Sequence, residues 1–322
     1  MTAAYVDEPG PAENIRVGSL PVPDIGPADV LVAVEAVAVD PVDTYVRSGR
    51  YRTALPRPFV VGRDLVGTVA AAPEITGFSP GDRVWCNSLG HDGRQGSFAE
   101  YAAVPADRLY RLPPEVDPAQ AVALAHPAAT AFLGWFVHAR LRPAETVFVG
   151  GGAGNVGTAA IQTATVAGAR VLASCRPEDA DRCRAAGAEE VFDYRDERLH
   201  DRVARAAPYG VDVVWETSGH HDLTLVTRVS AVGARVLVTA AATPTSQVPW
   251  PQLYTRDVRM LGFVISRASV ADLAGAASAI NRMLGRGLLT ARIADVLPLA
   301  RTADAHRRIE AGEVSGRLVL RP

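Results

Sequence analysis

Lysine is absent from this chain, and cysteine is scarce. All 33 basic side chains are arginines, which excludes a Schiff-base lysine and a lysine phosphate ligand. The three cysteines, Cys86, Cys175 and Cys183, are odd in number and scattered. This usage excludes a disulfide framework and a four-cysteine zinc lobe, and it favours reduced thiols in the cytoplasm.

A large excess of one charge is also missing. The 33 basic and 35 acidic residues give a net charge of −2, which leaves no basic face for a nucleic acid or for an anionic membrane. Asp7 and Glu8 are followed by no apolar signal core, and we find no apolar run that is long enough to span a bilayer. We therefore expect a cytoplasmic protein of about two domains that binds neither nucleic acid nor membrane.

The residue pattern changes near residue 116. Before it, short strand patterns are punctuated by proline and glycine, which is typical of a small barrel or sandwich. After it, an alanine-rich helical pattern over 118–137, broken near Pro127, leads into strands that alternate with helices. The six expected strands are 146–149, 170–174, 190–192, 211–215, 235–239 and 258–263. This alternation indicates an α/β fold with a doubly wound, six-stranded Rossmann domain.

One glycine cluster organises the second half of the chain. Gly152, Gly154 and Gly157 fit the pattern G-x-G-x-x-G, after an apolar strand pattern and before a helical one. The three glycines permit a tight turn, close approach of the backbone to a pyrophosphate, and close packing of helix on strand. The helix N-terminus adds N–H groups and positive potential. The motif, in this context, predicts a dinucleotide site.

Several segments resemble those of quinone oxidoreductases, in the same order along the chain. Residues 38–49, AVDPVDTYVRSG, are similar to the family segment G-V-N-P-x-D-x-Y-x-R-x-G, and residues 62–67, GRDLVG, to G-x-E-x-x-G. Further matching segments lie at 81–84, 96–101, 130–131, 150–157 and 312–317. The chain is thereby identified as a member of the zinc-free quinone oxidoreductase (zeta-crystallin-like) branch of the medium-chain dehydrogenase/reductase superfamily.

This resemblance implies an architecture and an assembly. It implies a GroES-like, β-rich catalytic domain over residues 1–117, to which residues 264–322 return. It implies a Rossmann NADPH-binding domain over residues 118–263. It also implies a homodimer that is joined through the Rossmann sheets.

The resemblance bears on metal binding as well. Zinc members of the superfamily take the catalytic zinc from a cysteine, a histidine and a second cysteine, and the matching positions here hold Asp40, Arg63 and His126. An arginine repels Zn²⁺, and two ligands are too few for a catalytic site. We therefore expect no metal, with the alternative that Asp64 joins Asp40 and His126 as a third ligand.

The expected cofactor is NADPH. NAD sites place a carboxylate at the end of the second strand, where this chain has Cys175 followed by Arg176. A guanidinium binds a 2′-phosphate, although Glu178 and Asp179 follow closely. By the resemblance, Tyr194 meets the 2′-phosphate end. The candidate cofactor contacts are Thr130, Gly151, Gly152, Ala153, Gly154, Asn155, Val156, Gly157, Ser174, Arg176, Tyr194, Ser218, Phe263 and Arg317.

Catalysis needs a group that meets the negative charge developing on the acceptor oxygen. The resemblance gives this role to Tyr45. Asp40 and His126 occupy two of the former zinc positions as a complementary pair, so we hypothesise that His126 donates a proton and that Asp40 orients it. The alternative is that His126 caps the bend at Pro127.

These residues together predict an NADPH-dependent oxidoreductase that reduces a quinone or another conjugated carbonyl compound without zinc. One alternative is a double-bond reductase of enones, alkenals or enoyl thioesters, since fold does not choose the substrate. An alternative of another class is a non-catalytic NADPH-binding protein.

Overall fold

The computed structural model describes residues 1–240 and 245–322. Two compact units make up the chain: Met1–His126 with Ser269–Pro322, and Pro127–Ala268. The domain limits expected from the sequence stay a prediction. The strands are, in chain order, β1 (Thr2–Val6), β2 (Arg16–Ser19), β3 (Asp29–Val39), β4 (Phe59–Val60), β5 (Asp64–Ala71), β6 (Arg83–Cys86), β7 (Tyr101–Pro105), β8 (Tyr110–Arg111), β9 (Thr146–Gly150), β10 (Arg170–Cys175), β11 (Glu190–Asp193), β12 (Val211–Glu216), β13 (Ser230–Val238), β14 (Arg259–Gly262), β15 (Ile293–Pro298) and β16 (Arg317–Arg321). The α-helices are α1 (Pro41–Ser48), α2 (Pro118–Phe132), α3 (Asn155–Val166), α4 (Ala180–Ala185), α5 (Leu199–Ala206), α6 (Leu223–Val229), α7 (Trp250–Tyr254), α8 (Val270–Leu284) and α9 (Thr302–Glu310).

The first unit is built on a mixed sheet in the order β15-β16-β3-β5-β6-β8, with β7 paired to β3. A second sheet has the order β2-β1-β4. β16 runs antiparallel to β3 with Leu318 opposite Val39, and β3 runs antiparallel to β5 with Ala38 opposite Asp64. This register brings Arg317, Asp40 and Asp64 to the same end of three neighbouring strands.

The second unit contains one six-stranded parallel sheet in the order β11-β10-β9-β12-β13-β14. This is the strand order of a Rossmann domain, and it confirms the expected fold class and each of the six expected strands. The central strands are buried and rich in branched residues, with Val147, Val149 and Val213 at 0% exposure. Strands that are buried in this way are typical of parallel sheets whose two faces are covered by helices.

Two sequence predictions about the long apolar helix were wrong. α2 continues through Pro127 instead of breaking there, and a π-helix follows it over Leu133–His138. A proline removes one N–H donor, but the buried surface of an apolar helix outweighs that loss. The helical stretch Pro118–His138 is also long and apolar enough to cross a membrane, contrary to expectation, yet 78% of its most apolar part is buried in the protein, as in a core helix.

Candidate cofactor and catalytic sites

The glycine turn after β9 is closed by contacts that a side chain would block. Gly151 has a φ of +68°, in the left-handed region, and its carbonyl accepts a hydrogen bond from the Gly154 N–H at 2.9 Å. A Cβ on Gly157 would lie 2.2 Å from that same carbonyl oxygen. A Cβ on Gly152 would lie 3.1 Å from the Cβ of Ala173. The first turn of α3 therefore packs on the glycine turn with no room for a methyl group at Gly157.

α3 begins directly behind this turn. Its N-cap is Gly154, which has no side chain to cap the amides of the first helical turn. The Gly152 N–H donates to the carbonyl of Ser174 at 2.8 Å and ties the turn to the end of β10. The structure thus brings the expected turn residues and Ser174 together at the carboxyl ends of β9 and β10, where an anionic pyrophosphate fits.

Arg176, just beyond β10, is held by its own acidic neighbours. Its Nη2 lies 3.0 Å from Asp179 Oδ2, and its Nε lies 3.4 Å from Glu178 Oε1. Hydrogen bonding to Asp179 and the nearby negative charges raise the pKa of Arg176. Just beyond the end of β11, the Arg195 guanidinium lies 5.2 Å from the centroid of the Tyr194 ring. A phosphate that binds Arg176 would have to compete with two carboxylates.

The remaining expected cofactor contacts of the second unit are spread over other strand ends and α2. The Ser218 N–H donates to Glu216 Oε1 at 2.7 Å, beyond the end of β12. Phe263 follows β14, and its ring stacks on His138 with 4.4 Å between centroids. Thr130 is buried in α2. Sequence reasoning missed Glu216, whose carboxylate lies against Gly150 at the end of β9.

A second group of polar residues is buried in the first unit. Arg317 Nη1 donates to Asp40 Oδ1 at 2.7 Å, and Arg317 Nη2 lies 3.6 Å from Asp64 Oδ2. These three residues are 1%, 2% and 0% exposed, respectively. His126 Nδ1 lies 3.9 Å from Asp64 Oδ1. We call Asp40, Asp64, His126 and Arg317 the carboxylate cluster.

Burial and charge set the protonation states of the carboxylate cluster. Burial alone would raise the pKa of Asp40, but the Arg317 guanidinium, with smaller contributions from His126 and Asp64, lowers that pKa to about 2. Burial, and then the negative charge of Asp40, raise the pKa of Asp64 well above its usual range. Asp40 is therefore ionised, while Asp64 keeps a proton that it can donate to Asp40.

His126 is neutral at physiological pH. Burial, reinforced by the charges of Arg63 and Arg317, lowers the pKa of His126 to about 4, against the opposing effect of Asp40. The structure places His126 beside the carboxyl groups of Asp40 and Asp64. One ring nitrogen of His126 and one carboxyl oxygen of each aspartate lie within 4.8 Å of one another. An imidazolium is not the resting form there, so the ring serves as a neutral hydrogen-bonding group.

Asp40 is also the N-cap of α1. Its N–H donates to Asp43 Oδ2 at 2.8 Å, and Pro41 occupies the first helical position. This local pattern holds Asp40 at the junction of β3 and α1. Further along α1, Tyr45 is 41% exposed, and the Arg50 guanidinium lies 4.6 Å from the centroid of its ring. Arg317, which was expected among the cofactor contacts, lies in the carboxylate cluster. Its role as a cofactor contact stays a prediction.

Comparison with known proteins gives two family matches. Residues 26–114 match the alcohol dehydrogenase GroES-like domain, and residues 155–282 match the family described as zinc-binding dehydrogenase. A quinone oxidoreductase of Mus musculus is 30% identical over 329 residues, which cover 99% of this chain and 97% of the mouse protein.

Solved structures give the same picture. An NAD-dependent alcohol dehydrogenase superposes with a TM-score of 0.91 at 31% identity over 100% of both chains. The mycobacterial protein Rv1454c, complexed with NADPH, superposes with a TM-score of 0.87 at 28% identity over 100% of both chains. The first neighbour is thus an NAD-dependent enzyme, whereas the second was solved with NADPH.

The zinc named in the second family description can be tested against the carboxylate cluster. A divalent cation among Asp40, Asp64 and His126 would share their space with the Arg317 guanidinium, which already lies 2.7 Å from Asp40. Arg63, 2% exposed, adds another positive charge whose effect reaches His126. Like charges at such distances in a buried site repel strongly. The residues as arranged do not fit zinc.

Proposed function

Because the chain belongs to the medium-chain dehydrogenase/reductase superfamily, in its quinone oxidoreductase-like group, we propose that it transfers a hydride from NADPH to a quinone or another conjugated carbonyl acceptor without zinc. The observation that carries the cofactor part is the uncapped N-terminus of α3 behind the glycine turn. The complex of Rv1454c with NADPH supports the choice of cofactor. The mouse relative supports the choice of acceptor.

Bound NADPH would supply the hydride, and the chain's residues would orient it and stabilise the product. Gly151 to Gly157 and the first turn of α3 would hold the pyrophosphate, and Ser174 and Arg176 would meet the ribose end. Tyr45 would donate a hydrogen bond to the acceptor oxygen. His126, neutral at pH 7, would serve as a hydrogen-bond donor rather than as an imidazolium acid.

The function is tested by following NADPH oxidation at the nicotinamide absorbance, with NADH in parallel, against quinones and enones. Rapid turnover of quinones supports the proposal. Turnover of enones alone would indicate that the protein is a double-bond reductase. NADPH binding without turnover of any conjugated acceptor contradicts the proposal and favours the non-catalytic alternative.

Cofactor choice depends on Arg176 in this proposal. We expect Arg176→Ala to lower kcat/KM for NADPH by about 10- to 100-fold, the worth of a hydrogen bond to a charged group, and to leave kcat/KM for NADH nearly unchanged. Arg184 is the matched control, because it is an exposed arginine that also pairs with an aspartate, Asp181, at 2.7 Å. Asp179→Asn should improve NADPH use, since it removes a competing carboxylate. An equal loss with both cofactors would contradict the role of Arg176.

We also propose a homodimer that forms along β14. This strand is at the edge of the parallel sheet, and Met260 on it is 42% exposed. Trp250 and Tyr254 on the preceding α7 are 66% and 71% exposed. Exposed aromatic and sulfur-containing side chains beside an unpaired strand edge suit a symmetric interface with a second copy.

Light scattering after gel filtration tests this assembly. We expect a mass twice that of the 34.0 kDa chain, and we expect Met260→Arg to shift the protein toward monomer by burying a charge at the interface. Ile75→Arg is the control, because Ile75 is 86% exposed and lies in the first unit. A monomeric wild-type protein would rule the proposal out.

A further inference from the structure

The carboxylate cluster has the donor atoms of a cation site. Asp40, Asp64 and His126 each present one ligand atom, and these atoms all lie within 4.8 Å of one another. Carboxylate oxygens and imidazole nitrogens are both ligands of zinc and of non-haem iron in proteins. Burial of the two aspartates at 2% and 0% exposure removes competition from bulk water.

A positively charged side chain of the protein itself, that of Arg317, already lies among these atoms. Arg317 reaches Asp40 at 2.7 Å and Asp64 at 3.6 Å, so its two terminal nitrogens face both carboxyl groups. A guanidinium is planar, keeps its charge at any physiological pH and has donors that match carboxylates. It faces the same two carboxyl groups that a metal bound between them would contact.

The fold fixes this arginine in place. Arg317 is the first residue of β16, and the next residue, Leu318, is paired with Val39 of β3. Arg317 is itself only 1% exposed, so its side chain has no solvent to turn into. A metal could enter only if the guanidinium left, and its departure would leave a buried charge without its partner.

We propose that Arg317 is a built-in cation that fills a metal-type site, and that its guanidinium, with a smaller contribution from Arg63, excludes divalent metals from Asp40, Asp64 and His126. This inference goes beyond the proposed function, because it concerns metal binding and holds whichever acceptor the protein reduces. Removal of the positive charge at position 317 should turn the cluster into a metal site.

Cobalt(II) is the probe, because its visible absorption reports coordination by protein ligands directly. We expect the wild-type protein to show no such absorption and no binding heat in calorimetry. We expect Arg317→Met to bind one Co²⁺ per chain with an affinity at least about 100-fold higher than that of wild type. Adding Asp64→Asn to that variant should remove the binding, since it deletes one ligand.

Arg47→Met is the matched control. Arg47 is also 1% exposed and pairs with Glu310, outside the carboxylate cluster. This control loses a buried arginine without gaining a cobalt site. Arg317→Gln is a second neutral variant, which can keep the hydrogen bond to Asp40 if the methionine variant does not fold.

Two results would overturn the inference. One is stoichiometric Co²⁺ binding by wild type at the affinity of the variant. The other is a folded neutral variant, shown by its circular dichroism, that binds no Co²⁺. Because neither result involves turnover, a failure here is distinguishable from a failure of the proposed function.

Discussion

Gly157→Ala is expected to raise the Kd for NADPH by about 100-fold or more, which corresponds to about 2.7 kcal/mol. The added methyl would lie 2.2 Å from the Gly151 carbonyl oxygen and 2.9 Å from the Gly152 Cα. Both neighbours are backbone atoms, so no side-chain rotation relieves the overlap, and α3 must move away from the turn. The amides of its first turn would then no longer point at the pyrophosphate, which the proposal requires.

Fluorescence titration with NADPH measures this effect. Gly262→Ala is the control, because among the described residues a Cβ there would have only the Val238 carbonyl oxygen within 4 Å, at 3.9 Å. Thermal unfolding of both variants separates lost binding from lost structure. An unchanged Kd in Gly157→Ala would mean that the cofactor is not held by this turn.

Acid sensitivity of the folded state is the second large effect, and it centres on His306. This residue is fully buried in α9, with its ring edge-on to Phe98 at 6.2 Å between centroids. Neither ring nitrogen has a hydrogen-bond partner among the described residues. Burial, with a smaller contribution from the nearby charge of Arg47, lowers the pKa of His306 from 6.5 to about 3.

The sign of the effect follows from the two pKa values. Between pH 6.5 and about 3 the unfolded chain binds a proton at His306 and the folded chain does not, so acidification favours unfolding. From about pH 8 to about pH 5, this group alone should lower the free energy of unfolding by about 2 kcal/mol. Stability should continue to fall until the pH reaches the folded-state pKa.

His306→Leu is expected to remove this loss. It should also stabilise the protein at neutral pH by about 1 to 3 kcal/mol, because a buried polar group without a partner is replaced by an apolar one. His306→Gln separates the two effects, since it keeps a buried polar group that does not titrate. Urea unfolding at both pH values gives the comparison. If the wild-type protein and the leucine variant lose the same stability on acidification, the assignment of the acid sensitivity to His306 is contradicted.

The parts of the molecule that the sequence predicted best are local ones. The glycine turn is encoded within eight residues, because each glycine relieves a contact with its own turn or with the adjacent strand. The six parallel strands were found because alternating apolar runs and helical periods are visible at short range. The family resemblance then ordered these pieces into two domains.

The carboxylate cluster was only partly predictable. Asp40 and His126 were anticipated as neighbours, and Asp64 was left as an open third member. Arg317 was predicted as a cofactor contact, which stays a prediction. Its pairing with Asp40 was not anticipated, because Asp40 lies 277 residues away and nothing local reveals the contact. Only the register of β16 against β3 decides that contact.

One wrong prediction has a local physical cause. Pro127 was expected to interrupt its helix, but the burial of α2 overrode the intrinsic preference of proline. The assignment of Arg176 to a phosphate was made on charge, and it stays a prediction. Its geometry shows how strongly Glu178 and Asp179 already hold the same guanidinium.

The pairing of β16 with β3 also bears on how the protein is made. The sheet of the first unit cannot be completed until residues 317–321 have left the ribosome, because β16 lies between β15 and β3. The Rossmann sheet spans only residues 146–262 and needs nothing that is synthesised later. Its strands can therefore assemble during translation, before β16 is available to the main sheet of the first unit. The first unit begins earlier in synthesis than the Rossmann sheet, but its main sheet is completed later.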